Sequence, residues 1–411
     1  MGSTAAAEII GGNKDLAVEI LRHLPAKSLI RFKLVSKAWL SLISTPRFSL
    51  LLWQSHRHPK VSGLFFNTRP RTETIKYIPL TPSGLRNQCD ITTVVNGGEE
   101  NNSPPLFPDM STTIIDSCNG FLLYFTKQQH FGSWMTYSYH VYNPSTKQLA
   151  TLPWPFTRTF PFLGDFLYLV FDPLKSLHYK VVLVQASEHG NDYLYQIHIY
   201  SSETNDWRRS PLDDIGSGFH PFLESLNSVD LNKGVYCNGS IHWISYRAEE
   251  TSLYFDVDQE IFCPMPSPPY NAVGFKFWHF GESRGHLHFI TDMGFNVNVS
   301  EMESDYSKWT MKFRVCLNAV MVDLALEEEM VVRSDTALSL IHGEDEGDVF
   351  LVLYVRTEMN YMIISYNIKE NTFKKLGDVP SHPASFGFDD LMWHRRKYFS
   401  IYRYIETLFS I

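Results

Sequence analysis

The side chains able to do chemistry in this chain are numerous but poorly grouped for it. His56 with His58 and His286 with His288 are alternate-residue pairs. In a strand each pair lies on one face and could share a metal ion, but neither is accompanied by a third ligand. Five cysteines, Cys89, Cys118, Cys237, Cys263 and Cys316, are scattered, odd in number and never spaced as a zinc pair. They read as the reduced thiols of an intracellular protein, cytoplasmic, nuclear or both. Glu327-Glu328-Glu329 and Glu344-Asp345-Glu346 read as solvated turns. No Gly-x-Ser-x-Gly elbow, phosphate-binding glycine loop or His-Glu-x-x-His occurs. The expectation is a non-catalytic protein with no metal or cofactor.

Bulk composition narrows the partners. The 411 residues leave room for two or three domains, and 44% hydrophobic content is ample for a large core. Lys plus Arg is 36 against 44 Asp plus Glu, a net charge of -8 that is too modest and dispersed for a nucleic-acid surface. No stretch approaches the roughly 18 apolar residues needed to span a bilayer. Met1 to Ala6 forms no apolar signal core, so the glycosylation-type triplets at Asn101, Asn238 and Asn298 read as chance.

If the chain holds no chemistry of its own, its elements must position partners, and Asn13 to Trp53 carries the strongest pattern. Leu16, Ile20, Leu21 and Leu24 recur at helical spacing behind a candidate N-cap, Asn13. Pro25 ends that helix. Leu29, Ile30 and Phe32 open a second apolar stripe, which Val35, Trp39, Leu42 and Ile43 continue, with Ser36 as a cap and Thr45-Pro46 as a stop. Three short helices are predicted. About forty residues with no cysteine cannot bury enough surface to fold firmly alone, so the surplus apolar residues call for a second protein or for packing on the following domain.

The run Leu16, Glu19-Ile20-Leu21, Leu24-Pro25, Lys27-Ser28-Leu29, Arg31-Phe32-Lys33, Val35-Ser36-Lys37, Trp39, Ser41-Leu42-Ile43 and Pro46-Arg47-Phe48 resembles the F-box of plant F-box proteins. The resemblance implies a Skp-type adaptor bound through Leu16, Ile20, Leu21, Leu24, Pro25, Leu29, Phe32, Val35, Trp39 and Leu42. Two positions depart from the family. Ile10-Gly11-Gly12-Asn13 stands where a Leu-Pro pair is usual, and Ser36 replaces a common cysteine. The first departure implies weaker adaptor binding than a chain carrying Leu-Pro.

From Val61 onward the period changes to short apolar runs punctuated by Gly, Pro, Asn and Asp, which read as strands. High aromatic content, 14%, suits them. Two phrases alternate. One is strand, polar turn, strand, as at Val141 to Leu149, Ile199 to Trp207, Tyr254 to Phe262 and Ser365 to Phe373, with a looser copy from Val297 to Trp309. The other begins a strand with glycine, as at Cys118 to Leu122, Cys237 to Trp243, Ser283 to His288 and Glu346 to Phe350. A period of roughly fifty residues built from two such hairpins is a kelch-like signature, one four-stranded propeller blade per unit. An open antiparallel sandwich is the rival arrangement. Trp207, Phe262, Trp309 and Phe373, at the ends of the phrases, are expected to pack between blades, and Val61 to Phe66 with Tyr398 to Leu408 are candidates for a blade shared by the chain ends.

Phe171-Asp172-Pro173 with Tyr179-Lys180-Val181-Val182, and Cys237-Asn238-Gly239 with His242-Trp243, are similar to the F-box-associated, kelch-related region of the same plant family. The expected fold is therefore an α+β multidomain chain, a short three-helix F-box followed by an all-β kelch-like β-propeller of about six or seven blades. Its divisions are a disordered N-terminus at 1–12, the F-box at 13–53, a hinge at 54–60 and the propeller at 61–411, with a mobile loop near 81–109. The resemblance implies the substrate receptor of a Skp-cullin-F-box ubiquitin ligase, joined through the adaptor to cullin and RING subunits and binding an unidentified target protein for proteasomal degradation. The alternative is a propeller-based small-molecule sensor or enzyme with an F-box-like helical cap.

Overall fold

A computed structural model of the chain describes residues 13–55, 60–68, 74–80, 92–94, 112–129, 135–154, 165–189, 192–211, 226–245, 251–269, 278–292, 296–318, 322, 332–343, 347–357, 361–379 and 401–411. The expected disordered N-terminus lies outside them. So do residues 56–59 of the expected hinge, whose first two residues complete a helix, and most of the expected mobile loop. Within that loop Thr92–Val94 is a strand, paired with the strand Thr74–Pro79.

Six four-stranded antiparallel sheets follow the helices, which fixes the blade count at six. The blades occupy 112–151, 165–209, 235–265, 278–316 and 332–379, preceded by a first blade at 61–94 that takes one strand from the other chain end. Strand Ile401–Ile405 pairs with Val61–Thr68, Phe65 opposite Tyr402 and Leu64 opposite Arg403, so the expected shared blade is present. It serves as the inner strand of blade one and packs beside the inner strand of blade two. Closure of this kind removes the exposed edges that an open sheet would leave.

Six hydrophobic clusters hold the ring, one at each junction between blades. Leu123 and Val141 meet Leu169 and Val181; Val182 and Ile197 meet Trp243 and Phe255; Leu353 and Ile364 meet Val297 and Val299. Cys237 and Met265 meet Phe280 and Phe289, Tyr124 meets Phe65 and Tyr404, and Val352 and Ile363 close the circle against Leu64 and Ile78. Successive residues of one strand, such as Leu122 and Leu123 or Val181 and Val182, serve opposite junctions. That is why these strands read as unbroken apolar runs and not as alternating ones.

The two phrases are the two hairpin turns of a blade. Asn119-Gly120, Asn238-Gly239 and Arg284-Gly285 join first to second strands with both residues at positive φ, 45° and 95°, 50° and 90°, 54° and 80°. Such turns match the right-handed twist of the strands they join. Between third and fourth strands, Asn143, Asp256 and Asn367 each accept two backbone N–H groups through the side-chain oxygen. Four residues later Lys147, Glu260 and Asn371 take the left-handed conformation that turns the chain back. The phrase-end aromatics reach the preceding blade, as expected. Trp207 donates to the Pro153 carbonyl, Trp309 donates to that of Pro266 at 2.8 Å, and Phe262 and Phe373 join the junction clusters.

Candidate functional site

Four helices, not three, make up the N-terminal module: α1 Lys14–Leu21, α2 Ala26–Phe32, α3 Lys37–Ile43 and α4 Pro46–Ser55. Asn13 caps α1, accepting from Asp15 and Leu16 N–H at 3.1 Å, and Ser36 caps α3, accepting from Trp39 N–H at 3.2 Å. Pro25 does not end α1, which stops at Leu21; it precedes α2 instead, and its carbonyl accepts from Ser28 and Leu29. Thr45-Pro46 stops α3 and starts α4. Proline suits a first helical position because that N–H would be unbonded anyway, and Thr45 Oγ1 accepts from Phe48 N–H at 3.2 Å.

The ten expected docking residues separate into three groups. Leu21 and Leu29 are fully enclosed, packed with Ala26, Ile43, Phe48 and Leu52, and so form the core of the module and not its docking face. Leu24, Phe32, Trp39 and Leu42 are half-buried against that core, Phe32 and Trp39 in edge-to-face contact at 5.3 Å. Leu16, Ile20, Pro25 and Val35 are exposed. Two further residues belong with these, Leu34, 89% exposed in the α2–α3 connection, and Leu40 on α3. Helical periodicity missed them because Leu34 lies between two helices and Leu40 falls off the stripe that Trp39 and Ile43 define. Among the described residues ten large apolar side chains are exposed, and five of them, Leu16, Ile20, Leu34, Val35 and Leu40, fall in this one module. Between residues 13 and 55 there are seven Lys or Arg against two Asp or Glu, a local charge of +5 within a chain of -8.

The module is tied to the propeller by the other chain end. Residues 406–411 leave the ring-closing strand and run between the two parts with alternating side chains. Leu408 enters the helical core, and its carbonyl accepts from Ser49 Oγ at 3.3 Å. Phe409 faces the other way, against Phe171 of blade three at 5.4 Å, with Trp53 of α4 against it at 5.7 Å. Asn143 Nδ2 donates to the Thr407 and Phe409 carbonyls at 3.4 and 2.7 Å. Gly120 is obligatory here, since a Cβ would sit 2.4 Å from Thr407 and 2.7 Å from the Ile405 carbonyl.

Several polar groups of the propeller are bonded to one another within it. Arg403 pairs with Glu282, linking blade one to blade five. Burial raises Asp116 to about 7, although Ser117 and Leu169 N–H each donate to its carboxyl at 2.8 Å. His242 is enclosed and clusters with Tyr254 and Tyr306, which stack on each other at 4.8 Å; its Nδ1–H donates to the Val235 carbonyl at 3.2 Å, leaving Nε2 to accept from the Tyr306 hydroxyl at 2.7 Å. Burial lowers its pKa to about 4. His286 and His288 converge on Glu301, at 3.9 and 3.0 Å, which also takes Lys312 at 2.9 Å. Lys312 and Glu301 form an ion pair that the two imidazoles flank, and among the described residues no three His, Cys, Asp or Glu are grouped to hold a metal ion. His56, His58, Cys89 and the two acidic clusters lie outside the described residues.

Two family models match the chain. Residues 14–51 match the F-box domain and residues 85–289 the F-box associated beta propeller domain. The Arabidopsis thaliana F-box protein At5g07610 is 30% identical over 404 residues, covering 92% of this chain and 88% of its own length. F-box protein At4g19940 of the same plant is 24% identical over 386 residues, covering 88% and 84%. Among solved structures, a putative 6-phosphogluconolactonase from Bacteroides uniformis aligns with a TM-score of 0.36 at 13% identity, covering 79% of this chain and 85% of that one.

Proposed function

The chain belongs to the plant F-box proteins that carry an F-box associated β-propeller, and from that membership we propose that it is the substrate receptor of a Skp-cullin-F-box ubiquitin ligase. The observation that carries this reading is the concentration of exposed apolar residues, Leu16, Ile20, Leu34, Val35 and Leu40, on a module whose core is already completed by Leu408. A soluble monomer has no use for such a face, whereas a protein partner does. The Skp-type adaptor occupies it, and the local charge of +5 favours an adaptor with an acidic docking surface. Cullin and RING subunits join through the adaptor, inside the cell. The propeller holds the target. The mechanism is proximity: a target held on the same rigid assembly as a ubiquitin-charged conjugating enzyme meets it at high effective concentration, and the chemistry is supplied by other subunits.

A substitution tests this better than deletion of the helices, because deletion would strip the cover from Leu408 and Phe409. In plant cells the full chain should lower the abundance of its target in a proteasome-dependent way. The Leu34→Glu, Val35→Glu chain should bind the same protein, fail to recruit the adaptor, and raise the target's abundance by shielding it. Quantitative proteomics with both forms decides. If both move the same proteins in the same direction, or neither changes any half-life, the receptor reading is wrong.

A further inference from the structure

Asn143 and Asn367 hold the same place in two copies of one phrase, Tyr142-Asn143-Pro144-Ser145-Thr146-Lys147 and Tyr366-Asn367-Ile368-Lys369-Glu370-Asn371. Each ends the third strand of its blade and each is buried. Each uses Oδ1 to accept two backbone N–H groups of the turn, Ser145 and Thr146 at 2.9 and 3.3 Å, Lys369 and Glu370 at 2.9 and 3.0 Å. Both side chains point toward the next blade around the ring, as their strand neighbours Val141 and Ile363 do.

The amide nitrogens part company. Asn143 Nδ2 donates to two carbonyls of an extended segment, Thr407 and Phe409, and Ser145 Oγ accepts from Thr407 N–H at 3.0 Å. Blade two thus grips a peptide by its main chain. Asn367 Nδ2 has no acceptor among the described residues. It borders an open cavity of about 270 Å³ lined by Phe350, Ser365, Glu370, Thr372, Phe373 and Lys374. Ser365 is 2% exposed, and its hydroxyl has no hydrogen-bond partner among the described residues. A buried hydroxyl left unmade is unfavourable and marks a place where an acceptor is missing.

We propose that this notch on blade six binds an extended peptide segment of a partner protein. Asn367 Nδ2 and the Ser365 hydroxyl donate to its main-chain carbonyls, and an apolar side chain of the peptide rests against Phe350, which lies opposite Asn367 on the same face of the sheet. The occupant is a peptide and not a small molecule for two reasons. The same turn in blade two already holds one, and the cavity lies below the roughly 300–1,000 Å³ of a drug-sized site. The proposal stands apart from the ligase reading, since it needs neither the adaptor nor ubiquitin transfer.

Phage-displayed random heptapeptides selected on the full-length chain provide the probe, and fluorescence anisotropy with the recovered peptides provides the readout. Asn367→Asp keeps the two turn bonds and removes the donor; Ser365→Leu fills the notch. Recovered peptides should bind at least tenfold more weakly to either variant than to the parent chain. Asn367→Asp should melt with the parent, so that its loss of binding is not loss of fold. Should Ser365→Leu fail to fold, the Asn367→Asp comparison decides alone. Recovery of no peptides, or of peptides that bind Asn367→Asp as tightly as the parent, would overturn the proposal and leave the notch a hydration site.

Discussion

Val35 and Val182 are the same residue in opposite circumstances. Val35 is 64% exposed after α2, and Val182 is fully enclosed between the third and fourth blades. The contrast holds for the regions they belong to. Each blade buries both faces against its neighbours, and the last face of the sixth blade is covered by the first, so the ring consumes its own apolar surface. The helical module buries one side only, around Leu21, Leu29 and Leu408, and leaves the other open. A closed architecture can be stable and indifferent to partners; a half-closed one is stable only because something else supports it, here residues 406–411. The two parts therefore differ in what their apolar residues are for, fold in one and association in the other.

The sharpest way to break that contrast is to open the ring. Ending the chain at Ser400 removes the inner strand of blade one together with Leu408 and Phe409. It exposes an edge and several enclosed side chains, and should cost more than about 5 kcal/mol, enough to aggregate a domain of ordinary stability. If the shortened chain melts as the full one does, closure contributes nothing.

A single atom group tests the junction between the two regions. Gly120→Val places a branched side chain at φ 95° against Thr407 and the Ile405 carbonyl, and should cost about 4 kcal/mol through backbone strain and overpacking combined. Chemical denaturation measures it. Gly347→Val, at φ 102° with open space around it, should cost less because only the strain remains. Equal losses at the two sites would mean that the tail contact is not tight.

Acid should separate the regions next. Burial holds His242 and His342 to about 4 and His279 to about 3 in the folded propeller, against about 6.5 when unfolded. As pH falls from 6.5 toward 4 the unfolded chain takes up protons that the folded one refuses, so stability present above pH 6.5 is lost, about 3 kcal/mol from His242 alone. Asp116, raised to about 7 by burial, acts with the opposite sign, gaining its proton in the fold first, but it is one group against three. His242→Gln should flatten the dependence. A stability that does not fall between pH 6.5 and 4.5 would show that these imidazoles are hydrated and protonated in place.

Much of this was legible in the sequence, and the reasons are local. Asn119-Gly120 and Asn238-Gly239 demand positive φ at both residues, so the hairpins could be placed without knowing what surrounds them. The Asn-Pro-Ser-Thr phrase could be placed for the same reason, since its bonds are made within the turn. What escaped was whatever depends on distant contacts. Leu21 and Leu29 read as docking residues because a helical stripe does not say whether its own chain or another covers it, and the cover proved to be α4 and Leu408, from the far end of the chain. The fourth helix was missed because Pro46 reads equally as an end and as a beginning. The blade count was soft because one strand of the first blade comes 300 residues and more after the others.

The central claim is that the exposed face of the helices serves association and not stability, and one titration tests it. Calorimetry with a purified Skp-type adaptor should be run on the parent chain and on Leu34→Glu, Val35→Glu. These residues are exposed, so the variant should melt within about 0.5 kcal/mol of the parent. Its adaptor affinity should fall at least about 30-fold, which corresponds to roughly 2 kcal/mol of lost binding at a docking anchor. Equal affinities in two equally stable proteins would contradict the claim, and the open face of the module would then need a different occupant.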